Sequence, residues 1–132
     1  MTLKIVGKLS GYNNCYHFHA APKYRQHALV GNIAARLDQL LREKSHELGW
    51  KIHAIAVDSD HAHFLIESSA TPSEIAQRLF GFASFMLRKE FPALKEINTE
   101  HFWGGRQCKP ITDQTHFDNT LSYIGRHAQA LQ

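Results

Sequence analysis

An α+β fold, with helices laid on an antiparallel sheet, is predicted for this 132-residue chain by three observations. Segments with two-residue alternation and segments with 3.6-residue periodicity follow one another along the chain. The breaks between them carry stop, turn or capping residues, as at Pro22, Gly49, Asp58-Ser59-Asp60 and Thr71-Pro72. Alternating stretches flank Asp58-Ser59-Asp60 closely enough to form a hairpin, which makes that part of the sheet antiparallel.

Residues 12–20 carry two Tyr, one Phe and alternating His, a strand pattern that stops at Pro22. Residues 32–48 place Ile33, Leu37, Leu40, Leu41 and Leu48 near one helical face, and Gly49 ends the helix. In residues 50–57, Ile52, Ala54 and Ala56 fall on one side and His53, Ile55 and Val57 on the other, as in a strand covered on both faces. Residues 61–67 form the partner strand. Thr71 then acts as N-cap, with Pro72 at the first helical position and Glu74 completing a capping box. Ile75, Leu79, Phe82 and Met86 continue this helix to about Phe91-Pro92.

Residues 92–110, with Trp103 and Gly104-Gly105, read as a loop leading into a short strand at 106–109. Residues 114–131 return to helical spacing, with Phe117, Leu121, Ile124, Ala128 and Leu131 as the apolar stripe. The order βαββαβα is a ferredoxin-like or RNA-recognition-motif-like sandwich: two helices on one face of an antiparallel sheet, plus an added C-terminal helix. With no repeat, low-complexity tract or linker, residues 1–132 read as a single domain.

Composition narrows the function. At 43% hydrophobic and 20% charged residues, and without the run of about 20 apolar residues that a bilayer span needs, no membrane partner is expected. The segment Met1 to Gly7 lacks a secretory pattern, so a cytoplasmic location is expected, with Cys15 and Cys108 as free thiols. A net charge of +3 and a pI near 9.0 lean toward polyanions without identifying one. Ten His are the unusual feature, because imidazole serves metal ligation and proton transfer near neutral pH.

Two His-x-His pairs occur, His17/His19 and His61/His63. At this His frequency roughly 0.7 such pairs arise by chance, so the spacing alone is weak evidence. Residues two apart on a strand point to the same side, and Ala62, Phe64 and Ile66 supply a core face opposite His61 and His63. This favours His61/His63 as a metal-binding pair and leaves His17/His19 as half-exposed strand residues. Tyr123 and His127 stack four apart on a helical face shared with His116 and Thr120, away from the apolar stripe. Spacing leaves two readings of that face: a further metal ligand beside a tyrosine the core does not need, or an amphipathic surface or interface tyrosine and a solvated histidine near a helix C-terminus.

The segments Lys23-Tyr24-Arg25, Asp60-His61-Ala62-His63-Phe64-Leu65-Ile66, Leu87-Arg88-Lys89-Glu90-Phe91-Pro92, Phe102-Trp103 and Ser122-Tyr123-Ile124 follow one another over nearly the whole chain. Together they resemble the single-tyrosine HUH transposases of the insertion-sequence 200/605 type, a superfamily that includes the REP-associated tyrosine transposases. The resemblance implies His61, His63 and His127 as ligands of a divalent ion, Mg²⁺ or Mn²⁺, and Tyr123 as the nucleophile. The family's third ligand, four residues after the tyrosine, is often Gln; His127 there shifts the preference toward Mn²⁺ or a softer ion.

The activity implied is cleavage and rejoining of single-stranded DNA through a 5′-phosphotyrosine, with recognition of hairpins at element ends. The implied assembly is a homodimer in which one subunit's tyrosine helix completes the other's site, in the nucleoid of a bacterium or archaeon. Lys23, Arg25, Arg78, Arg88 and Arg106 are expected along the DNA groove, and Tyr24 and Trp103 either stack on bases or belong to the core. The alternatives are a catalytically inactive hairpin or single-stranded DNA binder of the same fold, and a metal-dependent hydrolase in which Tyr123 is only an acid.

Overall fold

The computed structural model describes residues 3–96 and 102–130. Its strands are β1 (Leu3–Ile5), β2 (Cys15–Pro22), β3 (Lys51–Asp58), β4 (His61–Glu67) and β5 (Trp103–Pro110). They form one sheet in the order β1-β5-β2-β4-β3, antiparallel except where β1 runs parallel to β5. Without the short edge strand β1, the order is fourth, first, third, second, which is the ferredoxin-like arrangement.

The helices are α1 (Gly31–Glu47), α2 (Pro72–Ala76), α3 (Phe82–Glu90) and α4 (Gln114–Ala130). A π-helical turn, Gln77–Gly81, joins α2 to α3 in one continuous helix. Thr71 caps α2 as predicted: its hydroxyl accepts a hydrogen bond from the Glu74 N–H at 3.2 Å, with Pro72 in the first turn. Asp113 does the same for α4, accepting from the His116 N–H at 2.8 Å.

Helices α1 and α2–α3 cover one face of the sheet. The even-numbered side chains of β2 and β4 meet them there, with Phe18, Phe64, Leu37, Leu41, Ile75, Leu79 and Phe80 all fully buried. Phe18 and Phe64 lie opposite each other in register and stack at 5.4 Å, with Phe80 closing over both. Each such side chain stabilises the fold by about 1.5–3 kcal/mol. Helix α4 covers the other face over a smaller cluster of Cys15, Ala56, Leu65, Ile111 and Ile124. The odd-numbered residues of β2 and β4 therefore look toward α4 rather than toward the main core.

Four expectations need correcting. Strand β1 was not anticipated, because three residues are too short to show alternation. Strand β5 begins at Trp103 instead of residue 106, because Gly104-Gly105 is strand and not loop. A Cβ on Gly104 would lie 2.8 Å from the Lys23 Cα, so the glycine permits close backbone approach to the end of β2. In β3 a bulge between Ile52 and Ala54 breaks the alternation, so Ile52 joins the main core. In α4 the inward residue is Thr120, 6% exposed, while Leu121 faces outward; Leu131 lies outside the described residues.

Candidate active site

The face of the sheet beneath α4 is floored with imidazole. His17 and His19 on β2 and His61 and His63 on β4 project from it, with His19 directly opposite His63 in register. His63 is buried and the other three are half-buried. Helix α4 hangs Tyr123 and His127 over this floor. The Tyr123 ring centroid lies 4.3 Å from that of His127, 5.5 Å from His63 and 6.3 Å from His17. Ile124, fully buried against Leu65, fixes the rotation of the helix and so turns Tyr123, 43% exposed, toward the open side. Within the chain described, the tyrosine helix lies over its own sheet.

Neighbouring groups orient three of these rings through Nδ1. His61 Nδ1 meets Asp60 Oδ1 at 2.9 Å, His127 Nδ1 donates to the Tyr123 carbonyl at 3.0 Å, and His63 Nδ1 meets His17 Nε2 at 3.2 Å. Metal-ligating histidines are held in this way, with Nδ1 engaged and Nε2 turned to the ion. His63 Nε2 is buried with no hydrogen-bond partner, a cost that a ligand at that atom removes.

Electrostatics agree with this arrangement. Burial, then the charges of His17, His61, His127 and His19, push the His63 imidazole down to about 3. Burial, then His19, Lys109 and His116, push His17 down to about 4. Both rings are neutral at physiological pH, the form that binds a cation.

The centroids of His61, His63 and His127 stand 5.2 to 6.4 Å apart. Imidazoles sharing one ion lie about 5 Å apart by centroid; the His61–His127 edge is wider than that, and the ligand nitrogens of the three rings do not all lie within 4.8 Å of one another.

A cleft of about 520 Å³ opens beside Tyr123, bordered by Gln107, Lys109, Asn119 and Arg126. A second, of about 560 Å³, adjoins it through His19 and Gln107 and is bordered by Lys4, Lys23, Tyr24 and Arg106. Among the described residues that line the two clefts none is acidic. Tyr24 stands 73% exposed at the second mouth with its backbone in the left-handed region at φ 61°, a conformation uncommon outside glycine.

Of the predicted site residues, Tyr123 and His63 line the first cleft, His61 and His127 lie against His63 at ring-centroid distances of 5.5 and 5.2 Å, and Lys23, Tyr24 and Arg106 border the second cleft. Arg78, beside Lys44 and Glu74, and Arg88, beside Lys89 and Lys95, lie in the helical layer on the opposite side of the sheet. The Arg25 side chain is outside the described residues. Trp103 is core: it is 5% exposed, and its indole N–H donates to the Phe80 carbonyl at 2.9 Å.

His17 and His19 are half-exposed strand residues as expected, and they share the floor with His63. The signal was present as a second His-x-His pair, but only the register of β2 against β4 gives it meaning. Lys109, Asn119 and Arg126 also border the cleft, and nothing in their spacing marks them in the sequence.

A histidine-floored antiparallel sheet under a tyrosine-bearing helix defines the class that the sequence resembles, the HUH-type DNA strand transferases. The chain belongs to the IS200-like transposase family, whose profile, described as "Transposase IS200 like", matches residues 10–127.

The chain is 32% identical over 120 residues to the ISDra2 transposase TnpA of Deinococcus radiodurans, covering 87% of this chain and 81% of that protein. It is also 32% identical over 94 residues to the transposase for insertion sequence element IS200 of Salmonella typhimurium, covering 68% of this chain and 62% of that one. Two solved structures share the fold. One is a crystal structure of a candidate transposase from Deinococcus radiodurans R1, with TM-score 0.67, 23% identity and coverage of 92% and 96% of the two chains. The other is a REP-associated tyrosine transposase bound to a REP hairpin, with TM-score 0.64, 13% identity and coverage of 90% and 70%.

Proposed function

We propose that this transposase cleaves and rejoins single-stranded DNA at element ends marked by hairpins, with Tyr123 as nucleophile and His61, His63 and His127 as ligands of a divalent ion, Mg²⁺ or Mn²⁺. The observation that carries the reading is the exposed Tyr123 ring, set against His63 and His127 at the mouth of a cleft bordered by Lys109 and Arg126, with no carboxylate among the described residues that line it. The structure of a relative with a bound REP hairpin supports the choice of DNA partner.

Lys109 and Arg126 draw the phosphodiester backbone to Tyr123, and Lys23 and Arg106 extend that path along the second cleft. Tyr24 offers an exposed ring on which a base stacks. The divalent ion, when bound, supplies Lewis-acid polarisation of a phosphate oxygen. The Tyr123 oxygen forms a bond to phosphorus as the bond to the 3′ oxygen breaks. The phenol loses a proton and the departing oxygen gains one, leaving a 5′-phosphotyrosine and a free 3′-OH. A second strand's 3′-OH reverses the step and joins DNA without ATP, because the covalent link conserves the phosphodiester's energy.

The active unit in this reading is a cytoplasmic homodimer at the nucleoid, one domain per chain. No helix of the described residues is long and apolar enough to cross a membrane.

The test uses end-labelled single-stranded DNA carrying a hairpin-flanked element end. With Mn²⁺ the protein is expected to give a covalent adduct in a denaturing gel, lost on chelation and in Tyr123→Phe. An adduct that survives in Tyr123→Phe refutes the nucleophile, and one indifferent to chelation refutes the ion. Hairpin binding without any cleavage is the result expected of a catalytically inactive binder.

A further inference from the structure

We propose that Cys15, His53 and Glu67 form a second metal site, separate from the histidine floor, that takes a thiophilic divalent ion such as Zn²⁺. The three side chains come from the adjacent strands β2, β3 and β4, and their ligand atoms all lie within 4.8 Å of one another. Cys15 and Glu67 are opposite partners in the β2–β4 ladder, with Sγ 4.0 Å from Oε1. His53 Nε2 lies 3.0 Å from the same carboxylate oxygen.

Regular alternation would send His53 to the face opposite Ala54. The bulge between Ile52 and Ala54 instead puts both on the α4 side, so a local irregularity of β3 brings the imidazole to Cys15 and Glu67. Phe117, in the first turns of α4, packs edge-on against the His53 ring at 5.0 Å and holds its plane.

The donor set chooses the ion. One sulfur, one nitrogen and one carboxylate oxygen suit Zn²⁺ and its neighbours better than Mg²⁺, which takes oxygen ligands. A tetrahedral Zn²⁺ sets its ligands roughly 3.3 to 3.6 Å apart, and the observed 3.0 and 4.0 Å bracket that range. Cys15 is 2% exposed, whereas the Glu67 side chain is 48% exposed, which leaves an approach from solvent and an open fourth position. Without an ion, burial and the Glu67 carboxylate push the Cys15 thiol up to about 11; a dication at the sulfur reverses that penalty. Bound there, the ion ties three strands together beneath Phe117, at the end of α4 away from Tyr123. The second cysteine, Cys108, is buried in the main core on the other face and serves as an internal control.

The experiment titrates Co²⁺ into the full chain carrying His61→Ala and His127→Ala, which removes the nitrogen site around Tyr123. The expected result is a near-ultraviolet thiolate-to-cobalt charge-transfer band that saturates at one equivalent and is bleached by Zn²⁺. Adding Cys15→Ser abolishes the band, and Glu67→Gln or His53→Ala weakens the Co²⁺ affinity by about tenfold or more. Absence of the band at excess Co²⁺, or its persistence in Cys15→Ser, overturns the proposal. Should Cys15→Ser fail to fold, the half-exposed Glu67→Gln decides: unchanged Co²⁺ affinity overturns the site, and a tenfold loss supports it. None of these readouts depends on DNA cleavage, so failure here and failure of the transposase mechanism are distinguishable.

Discussion

Replacing His17 by Ala removes the atom that faces His63 Nδ1 at 3.2 Å, while leaving His61, His63 and His127 in place. A neutral hydrogen bond of this kind contributes about 1 kcal/mol net, whereas leaving its buried partner unsatisfied costs about 1–3 kcal/mol. His63 is 1% exposed, yet His17 itself borders the cleft of about 520 Å³, so water can follow the deleted ring and take over part of its role. The loss therefore sits near the lower end, about 1.4 kcal/mol, or about tenfold weaker Mn²⁺ binding, within the range for partners that orient a metal-ligating histidine.

Isothermal titration of Mn²⁺ into wild type, His17→Ala and His17→Gln measures it. The glutamine carbonyl can accept from His63 Nδ1–H, so His17→Gln is expected to recover most of the affinity. Unchanged affinity in His17→Ala would refute the view that His17 positions a ligand.

Further outcomes follow from the same geometry. The metal-free protein should lose stability in acid: His17 and His63 stay neutral in the fold, with values of about 4 and about 3, but protonate below about 6.5 when unfolded. The unfolded state then binds more protons, so stability falls with pH, by about 2 kcal/mol between pH 7 and pH 5.5 in urea titrations; a flat profile would contradict the assignment. Ile124→Ala should cost about 2–3 kcal/mol in the same assay, since Ile124 is fully buried in the small cluster that docks α4. Lys109→Ala or Arg126→Ala should weaken single-stranded DNA binding and reduce the slope of log K against log salt by about 0.7 each, measured by fluorescence anisotropy.

The layered α+β order was legible because its carriers are local. Capping at Thr71, the turn at Asp58-Ser59-Asp60 and the leucine spacing of α1 each act within a few residues. What escaped the sequence depends on pairing between distant segments. β1 exists only because β5 offers it an edge, and Gly104 is strand because the backbone at Lys23 crowds it. The bulge at His53 is set by the register against β4, and the rotation of α4 by docking on β3, which prefers Thr120 to Leu121 as the inward residue.

The site divides along the same line. His61, His63, Tyr123 and His127 are marked by short spacings within a strand or a helix turn. His17 gains its place from the strand next door, and with ten His in the chain its own spacing could not separate it from chance.

The central claim is that Tyr123 becomes covalently joined to DNA. Its most direct measurement is peptide mass spectrometry of the protein after reaction with a hairpin-flanked single strand and Mn²⁺, followed by nuclease trimming. The account predicts a 5′-phosphonucleotide on the peptide containing Tyr123, at that residue alone. A nucleotide attached to another residue, or strand cleavage with no modified peptide, would contradict it.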